Sequence, residues 1–351
     1  MSTRWSFVFA LGLTACGESA VGLPNPSVGG SSASAGSDNG GAGGAPLTGG
    51  AGSGAQLAGS AGQGEQGGAG GAGGGQAGAA GSAGAAGGDG KSPPVPSAGC
   101  GTPAGQALAS WEEQPRLPVN GDERQWWVWL PTGYDPTRAY PVVFTLHGCG
   151  GPGNFIPIQE ATGSDAIVVR GTGGDDGNCW TYGLEGDDVK FFDAMLAALQ
   201  ARYCLDTSRV FSTGYSSGGW MTNTLECSRG DKLRATGTLS GGRAHDGTSC
   251  KGKFARATVH DLKDGTNPFD DWQEGNEDHN GQGAAEELDR VLAQNHCTAE
   301  APPVPESPAP CARYQGCDPG YPVIACLTDG EGHDRQDDLA IEAFWKLFSS
   351  L

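Results

Sequence analysis

The chain has 351 residues, a formal net charge of −19 and 11 cysteines. So acidic a protein lacks the basic surface that nucleic acid or an anionic membrane surface requires, and we exclude both as partners. The aromatic residues are concentrated after residue 98, apart from a few at the very start. That leaves about 250 residues to fold, a size that one α/β domain commonly reaches.

The first 16 residues are similar to a bacterial export signal. Arg4 precedes an apolar run that is too short to span a bilayer as a resident helix. The run ends L-T-A-C at Cys16, which resembles a lipoprotein box. We therefore expect residues 1–16 to be a lipoprotein signal peptide and Cys16 to be acylated. The expected location is extracellular or at the cell surface, as a bacterial outer-membrane lipoprotein whose only membrane contact is the lipid. An ordinary signal peptide with a chance cysteine is the alternative.

Residues 17–98 consist almost wholly of Gly, Ala, Ser, Gln and Pro and contain no aromatic residue. Such a segment buries too little apolar surface to offset its conformational entropy. We predict a disordered linker over 17–98, followed by one folded domain over 99–351.

The cysteines after Cys16 are even in number, and none is spaced as in a zinc site. In an exported chain this favours disulfide bonds and an oxidising compartment. Spacing alone does not give the connectivity. We expect Cys149 to pair with Cys179, and we expect further pairing within one set of four: Cys297, Cys311, Cys317 and Cys326.

Apolar runs and amphipathic segments alternate along the folded region. The predicted strands cover 125–130, 141–146, 166–170, 209–213, 235–240, 257–261 and 322–327. The predicted helices cover 188–203, 219–227, 284–294 and 337–348. Residues 98–121 show no clear pattern, and Trp126, Trp127 and Trp129 are expected to pack within their strand. Strands that alternate with helices predict a mostly parallel sheet with helices on both faces.

The stretch 209–220, RVFSTGYSSGGW, has a motif that carries chemistry. It reads as a strand, a G-x-S-x-G turn over 214–218, and then a helix. In that context the serine lies on a strained turn, with its hydroxyl exposed at the edge of a sheet. Ser216 is therefore the candidate nucleophile. A chance match is the alternative in a chain with 63 glycines.

A serine hydroxyl needs a base, and the base needs an orienting acid. His333 follows the last predicted strand in a glycine-rich loop, where the carboxyl ends of parallel strands meet. The acid should lie between Ser216 and His333 in the chain. Four residues satisfy that order: Asp261, Asp264, Asp270 and Asp271. We prefer Asp264, a few residues past a strand end. Asp261 stays open, as does a solvated acidic loop or a calcium site.

Acyl transfer also needs donors for the oxyanion. The N–H of Ser217, directly after the nucleophile, is one candidate, and the N–H of Cys149, after His147 and Gly148, is the second. Trp180 is a candidate for stacking on a substrate, although a tryptophan beside a cystine more often packs against it. The chemistry requires no metal and no cofactor.

Several motifs together resemble the secreted polyhydroxybutyrate depolymerase/feruloyl esterase family of α/β-hydrolases. They are LHGCGG at 146–151, GYSSGGW at 214–220, HDLKD at 260–264, YQGCDPGYPVIAC at 314–326 and GEGH at 330–333. The resemblance implies a disulfide-stabilised α/β-hydrolase that hydrolyses carboxylic esters through an acyl-enzyme. In that family the acid follows a strand as H-G-x-x-D, and here Asp261 stands in place of the glycine.

The same resemblance implies feruloyl or acetyl esters of plant polysaccharide as substrates, with polyesters such as polyhydroxybutyrate as the alternative. A catalytically inactive binding module of the same fold is a third possibility, which the presence of Ser216, Asp264 and His333 disfavours. The oligomeric state does not follow from the sequence.

Overall fold

The computed structural model describes residues 92–103, 109–174, 176–245, 247–270 and 283–351. The predicted signal peptide, Cys16 and the linker as far as residue 91 lie outside these residues. Within the described part of the chain, no helix is both long and apolar enough to cross a membrane.

Strands and helices alternate through most of the described chain. The strands are β1 (Trp111–Glu113), β2 (Leu117–Val119), β3 (Asp122–Arg124), β4 (Trp126–Trp129), β5 (Tyr140–Leu146), β6 (Ile167–Gly171), β7 (Leu205–Tyr215), β8 (Ala235–Leu239), β9 (Ala255–Asp261), β10 (Val304–Pro305), β11 (Cys311–Arg313) and β12 (Val323–Thr328). The helices are α1 (Gln159–Thr162), α2 (Asp187–Arg202), α3 (Ser217–Arg229), α4 (Ala284–Gln294) and α5 (Asp337–Ser350).

Ten of these strands form one sheet, in the order β1-β4-β6-β5-β7-β8-β9-β12-β11-β10. The six central strands are parallel to one another, and in sheet order they are β6, β5, β7, β8, β9 and β12. The short strands at both edges join antiparallel. The sheet is therefore mostly parallel, as the sequence predicts, with antiparallel additions at its edges.

Helices cover both faces of the sheet because its central strands are apolar on both sides. Every residue of β5 is buried, and Phe144 joins the core on the side of α2, α3 and α4, whereas Val143 joins the core on the side of α1 and α5. Helix α5 packs closely on β8, where a Cβ atom on Gly237 would lie 2.5 Å from the ring of Phe344. Burial of a Phe side chain contributes about 1.5–3 kcal/mol, so these contacts fix the layers that carry the site.

The predicted strands and helices are confirmed, with ends that shift by a few residues. The three tryptophans of β4 pack as expected: Trp126 is buried, and Trp111 meets Trp129 edge to face. The structure adds the short elements that the sequence did not predict, namely β1, β2, β3, α1, β10 and β11.

The folded part begins earlier than residue 99, which corrects the predicted end of the linker at 98. The N–H of Ser97 donates to the carbonyl of Leu205 at 2.9 Å, and its hydroxyl donates to the carbonyl of Tyr203 at 2.7 Å. Ser97 is buried by these contacts. A single bridge, from Pro96 to Asp206 at the start of the central strand β7, gives this Pro-rich, polar segment no periodic pattern.

Five disulfides close the fold. They are Cys100–Cys204, Cys149–Cys179, Cys227–Cys250, Cys297–Cys317 and Cys311–Cys326. The pairing of Cys149 with Cys179 is confirmed, as is the pairing within the set of four. Five cystines indicate a protein that matures in an oxidising compartment.

The candidate site residues follow the carboxyl ends of four parallel strands. Ser216 follows β7, and Cys149 lies just beyond β5. Asp264 lies three residues beyond β9, and His333 lies five residues beyond β12. Carboxyl ends of parallel strands share one edge of a sheet, so the topology brings these residues together.

Candidate active site

Ser216 lies on the tight turn between β7 and α3. Its backbone has φ 51° and ψ −117°, a conformation with positive φ that non-glycine residues rarely adopt. Two neighbouring glycines make the turn possible. A Cβ atom added to Gly214 would lie 2.1 Å from the carbonyl oxygen of Gly218. A Cβ atom added to Gly218 would lie 2.0 Å from the carbonyl oxygen of Leu146. A strained turn between a strand and a helix is the conformation that the G-x-S-x-G motif predicts.

Three side chains from three different loops meet at this turn. The Ser216 hydroxyl donates to Nε2 of His333 at 3.0 Å. Nδ1–H of His333 donates to Oδ2 of Asp264 at 2.7 Å. His333 keeps 21% of its side chain exposed, whereas that of Asp264 is fully buried. The arrangement allows a base to take the serine proton while a buried carboxylate stabilises the imidazolium that forms.

A short turn after β9 fixes the carboxylate of Asp264. Oδ1 accepts the N–H of Thr266 at 2.9 Å and the N–H of Asn267 at 2.8 Å, which leaves Oδ2 for His333. Burial opposes ionisation here, but the hydrogen bonds from His333, Asn267 and Thr266 outweigh it and lower the pKa of Asp264. Asp264 is therefore an ionised carboxylate aimed at the imidazole.

The alternative acid, Asp261, does not face the imidazole. Its carboxylate accepts the hydroxyl of Thr328 and backbone N–H groups, and among the described residues none of its hydrogen bonds involves His333. Asp270 lies on the exposed surface. Asp271 lies outside the described residues.

Within the described ranges, no acceptor is found for the backbone N–H of Ser217, directly after Ser216, or for that of Cys149, in the loop after β5. Cys149 is held by its disulfide to Cys179, and its carbonyl accepts the side-chain amide of Asn154 at 2.9 Å. Gly148 lets this loop approach the elbow, since a Cβ atom there would lie 2.8 Å from the ring of Tyr215. The two N–H groups are thus available for a substrate oxygen.

Trp180 is buried under this loop, with only 3% of its surface exposed. Its indole N–H donates to the carbonyl of His147 at 2.9 Å, and its backbone N–H donates to the hydroxyl of Ser217 at 2.9 Å. Its ring lies 5.0 Å from that of His147. A buried indole has no free face for a ligand, so the structure does not support the expected stacking role. Trp180 instead holds the loop of Cys149 against the elbow.

His147 is a structural residue of the same loop. Its Nε2 accepts the N–H of Gly173 at 2.9 Å, and its Nδ1–H donates to the carbonyl of Gly148 at 2.7 Å. Burial lowers the pKa of His147, so it stays neutral and keeps this pair of bonds.

The chain has relatives among known proteins. It is 30% identical to the probable feruloyl esterase C of Aspergillus niger over 270 residues. This alignment covers 72% of this chain and 90% of that protein. The chain belongs to the feruloyl esterase family. Feruloyl esterase D of Neurospora crassa is 28% identical over 280 residues, with 73% of this chain and 90% of that protein covered. No family model matches the chain.

One solved structure supports the fold of this feruloyl esterase family member. The acetyl xylan esterase from Aspergillus awamori superposes with a TM-score of 0.54 at 16% identity, covering 69% of this chain and all of that one. At this identity the likeness shows the fold alone. The expected fold, a disulfide-stabilised α/β-hydrolase with a mostly parallel sheet, is confirmed. Feruloyl esterases are carboxylic ester hydrolases.

Sequence reasoning missed several residues that position the site of this family member. The hydroxyl of Tyr215 donates to the backbone carbonyl of His333 at 2.8 Å. Arg335 donates to the side chain of Asn154 at 3.1 Å and to the carbonyl of Phe155 at 2.9 Å, so it joins the loop of the base to the loop of Cys149. Of these residues, Tyr215 had one sequence signal of a role at the site, namely its place within the G-x-S-x-G motif.

Asp188, fully buried at the start of α2, organises the loop that contains Trp180. Its Oδ2 accepts the N–H and the hydroxyl of Thr181, at 2.7 and 2.8 Å, and the N–H of Gly174 at 3.2 Å. Its Oδ1 pairs with Arg124. The spacing of apolar residues along a helix does not distinguish a buried acid that organises a loop from an acid exposed to solvent.

The other histidines of this family member are engaged elsewhere. His260 is buried, burial lowers its pKa, and its Nε2–H donates to the carbonyl of Asn267 at 2.7 Å. His296 pairs with Asp318 at the surface, and His279 lies outside the described residues. Within the described segments, one group of possible metal ligands comes together: Cys227, His245 and Cys250. Its two sulfurs are bonded to each other, so they offer no thiolate.

Proposed function

We propose that the enzyme hydrolyses feruloyl or acetyl esters of plant cell-wall polysaccharide through an acyl-enzyme on Ser216. The observation that carries the mechanism is the chain of two hydrogen bonds, 3.0 Å from hydroxyl to imidazole and 2.7 Å from imidazole to carboxylate. The family relationship supports the choice of substrate. The names of the relatives describe feruloyl esterases, and a fold neighbour is an acetyl xylan esterase.

The proposed reaction has two halves. The Ser216 oxygen attacks the ester carbonyl carbon while Nε2 of His333 takes its proton, and the N–H groups of Cys149 and Ser217 stabilise the oxyanion. The C–O bond to the alcohol breaks, and His333 returns the proton to that alcohol. Water then attacks the acyl-enzyme, His333 again takes and returns the proton, and the free acid leaves Ser216 regenerated. Asp264 stays ionised and holds the imidazole in the tautomer that accepts at Nε2.

A panel of three esters tests the proposed substrate class. Purified protein is assayed on methyl ferulate, on p-nitrophenyl acetate and on a 3-hydroxybutyrate oligomer, with the Ser216→Ala protein as blank. We expect turnover of methyl ferulate, p-nitrophenyl acetate or both to exceed that of the oligomer. Turnover of the oligomer alone would replace the polysaccharide-ester proposal with polyester depolymerisation. No turnover of any ester, by a folded protein, would leave only the inactive binding module.

We also propose that a lipid on Cys16 holds the enzyme at the outer surface of a bacterial cell. The support is the L-T-A-C run at the end of the apolar segment, together with the five cystines of the folded part. Cells grown with an alkynyl fatty acid should label the full-length protein, and the Cys16→Ser variant should be unlabelled. Equal labelling of both proteins, or of neither, would contradict the anchor.

A further inference from the structure

Asp261, the last residue of β9, is a buried carboxylate that the proposed reaction does not use. Its Oδ2 accepts the Thr328 hydroxyl at 2.7 Å, the N–H of Glu331 at 2.9 Å and the N–H of Gly330 at 3.0 Å. Its Oδ1 accepts the N–H of Lys263 at 2.8 Å. Three of these four donors belong to the segment that leads from β12 to His333.

Apolar packing contributes little to the part of that segment that precedes His333. Residues 329–331 are exposed, so no apolar packing fixes them. Gly330 and Gly332 have φ values of +121° and +63°, in the region that favours glycine. Glycines leave the unfolded chain many conformations, so ordering this loop carries an entropic cost. Hydrogen bonds have to supply the order that packing does not.

The carboxylate of Asp261 is suited to that task because it is charged. Burial opposes its ionisation, but the hydrogen bonds from Thr328, Glu331, Lys263 and Gly330 outweigh it and hold the pKa of Asp261 far below its usual range. Hydrogen bonds to an ionised acceptor are roughly twice as strong as those between neutral groups.

The turn after β9 therefore contacts the histidine loop at two points. Asp264 binds the His333 ring through Oδ2, whereas Asp261 binds the backbone at Gly330 and Glu331, three and two residues before it. The N–H of Leu262 adds one bond to the carbonyl of Thr328 at 2.9 Å. A shift of this backbone would move the imidazole away from Ser216, since the side chain of a histidine is short.

We propose that Asp261 is a positioning residue, which holds the loop of His333 so that the imidazole stays within hydrogen-bond reach of Ser216. The proposal rests on the proposed function of Ser216 and His333. It gives the two carboxylates of the D-L-K-D run separate tasks: one binds the ring and the other binds the loop. A misplacement of about 1 Å in a catalytic group can lower the rate about 100-fold.

The test compares Asp261→Asn with a control variant between the same two segments. The exposed pair of Lys263 and Asp329, 2.7 Å apart with side chains 68% and 62% exposed, also joins the turn after β9 to the loop after β12. Exposed pairs contribute little, so Asp329→Asn should change kcat for p-nitrophenyl acetate by less than about twofold. Asp261→Asn should lower kcat by about 10- to 100-fold with KM within about threefold.

A double variant separates positioning from general loss of structure. If Asp261 acts through His333, Asp261→Asn should lower kcat no further in a His333→Ala background, because the effects of coupled residues are not additive. Thr328→Val is the milder variant. It removes one donor, keeps the carboxylate, and should lower kcat in the same direction by about threefold or more. It decides the matter if Asp261→Asn does not fold.

The outcomes are distinct. Inactivity of the folded wild-type protein on all esters would refute the proposed function and this proposal together. An active wild type whose kcat survives both Asp261→Asn and Thr328→Val would overturn the positioning role alone. An equal further loss in the His333→Ala background would also overturn it, because it would show that Asp261 acts independently of the base.

Discussion

The Ser216→Ala variant is expected to lose about 10⁵- to 10⁶-fold in kcat on p-nitrophenyl acetate, which corresponds to roughly 7–8 kcal/mol of transition-state stabilisation. The next residue has a hydroxyl too, but it does not substitute. The Ser217 hydroxyl accepts the backbone N–H of Trp180 at 2.9 Å and bonds to the hydroxyl of Tyr182 at 2.8 Å. Among the described serines, Ser216 is the one whose hydroxyl contacts the imidazole of His333.

Two further serine variants make this prediction specific. Ser208→Ala, at an exposed position near the other end of β7, should keep kcat within about twofold, because its hydroxyl bonds to Asp206 and not to a residue of the site. Ser216→Gly should be as inactive as Ser216→Ala yet at least as stable as the wild type, since glycine tolerates a φ of 51°. Inactivity combined with unchanged stability would exclude unfolding as the cause. Activity above about 1% of wild type in either variant at position 216 would assign the nucleophile elsewhere.

Reagent chemistry gives an independent measure of the same residue. A fluorophosphonate should label the wild-type protein at Ser216, since an imidazole-activated hydroxyl attacks phosphorus as it attacks a carbonyl. Mass spectrometry of the digested protein would locate the adduct. Labelling at another serine would contradict the assignment.

The parts of the fold that were predictable from sequence are those with a long pattern. Strand β5 is seven residues of nearly continuous apolar sequence, and α2 buries Val189, Phe192, Leu196 and Leu199 at helical spacing. The elbow was predictable because a strand, a glycine turn and a helix stand in fixed order around Ser216. The edge strands β1 and β11 have three residues each, and the strands with which they pair lie elsewhere along the chain. A local sequence pattern therefore does not predict them.

The parts of the site that were not predictable depend on where side chains point. Asp261 and Asp264 both satisfy the chain order, and they differ in how one tight turn directs each carboxylate. The N–H of Asp264 bonds to the carbonyl of Asp261 at 3.1 Å, and this turn aims Asp264 at the ring and leaves Asp261 beside the backbone. Trp180 was a candidate for stacking on a substrate, and its burial depends on contacts with His147 and Ser217 that the sequence does not show. The buried Asp188 that orders the loop of Trp180 has no sequence signal of its own.

The Asp264→Asn variant is expected to lose about 10⁴-fold in kcat while the fold is kept, as in other triads in which the orienting acid becomes an amide. The surrounding donors determine which way the amide faces. The N–H groups of Thr266 and Asn267 point at the position that Oδ1 occupies in the wild type. The amide oxygen of the variant therefore has to take that position. The amide NH₂ then faces Nδ1 of His333 and favours the tautomer with its proton on Nε2. In that tautomer Nε2 has no lone pair for the proton of Ser216.

The same substitution at a nearby acid is the matched control. Asp270, exposed in the same loop, also satisfies the chain order for the triad acid, and Asp270→Asn should leave kcat within about twofold. The three aspartates then form a series: about 10⁴-fold loss at Asp264, about 10- to 100-fold at Asp261 and almost none at Asp270. The order follows from what each carboxylate contacts. Asp264 contacts the ring of His333, Asp261 contacts the backbone before His333, and Asp270 is exposed to solvent. If kcat of a folded Asp264→Asn protein stayed within about tenfold of wild type, the orienting acid would have to be another residue.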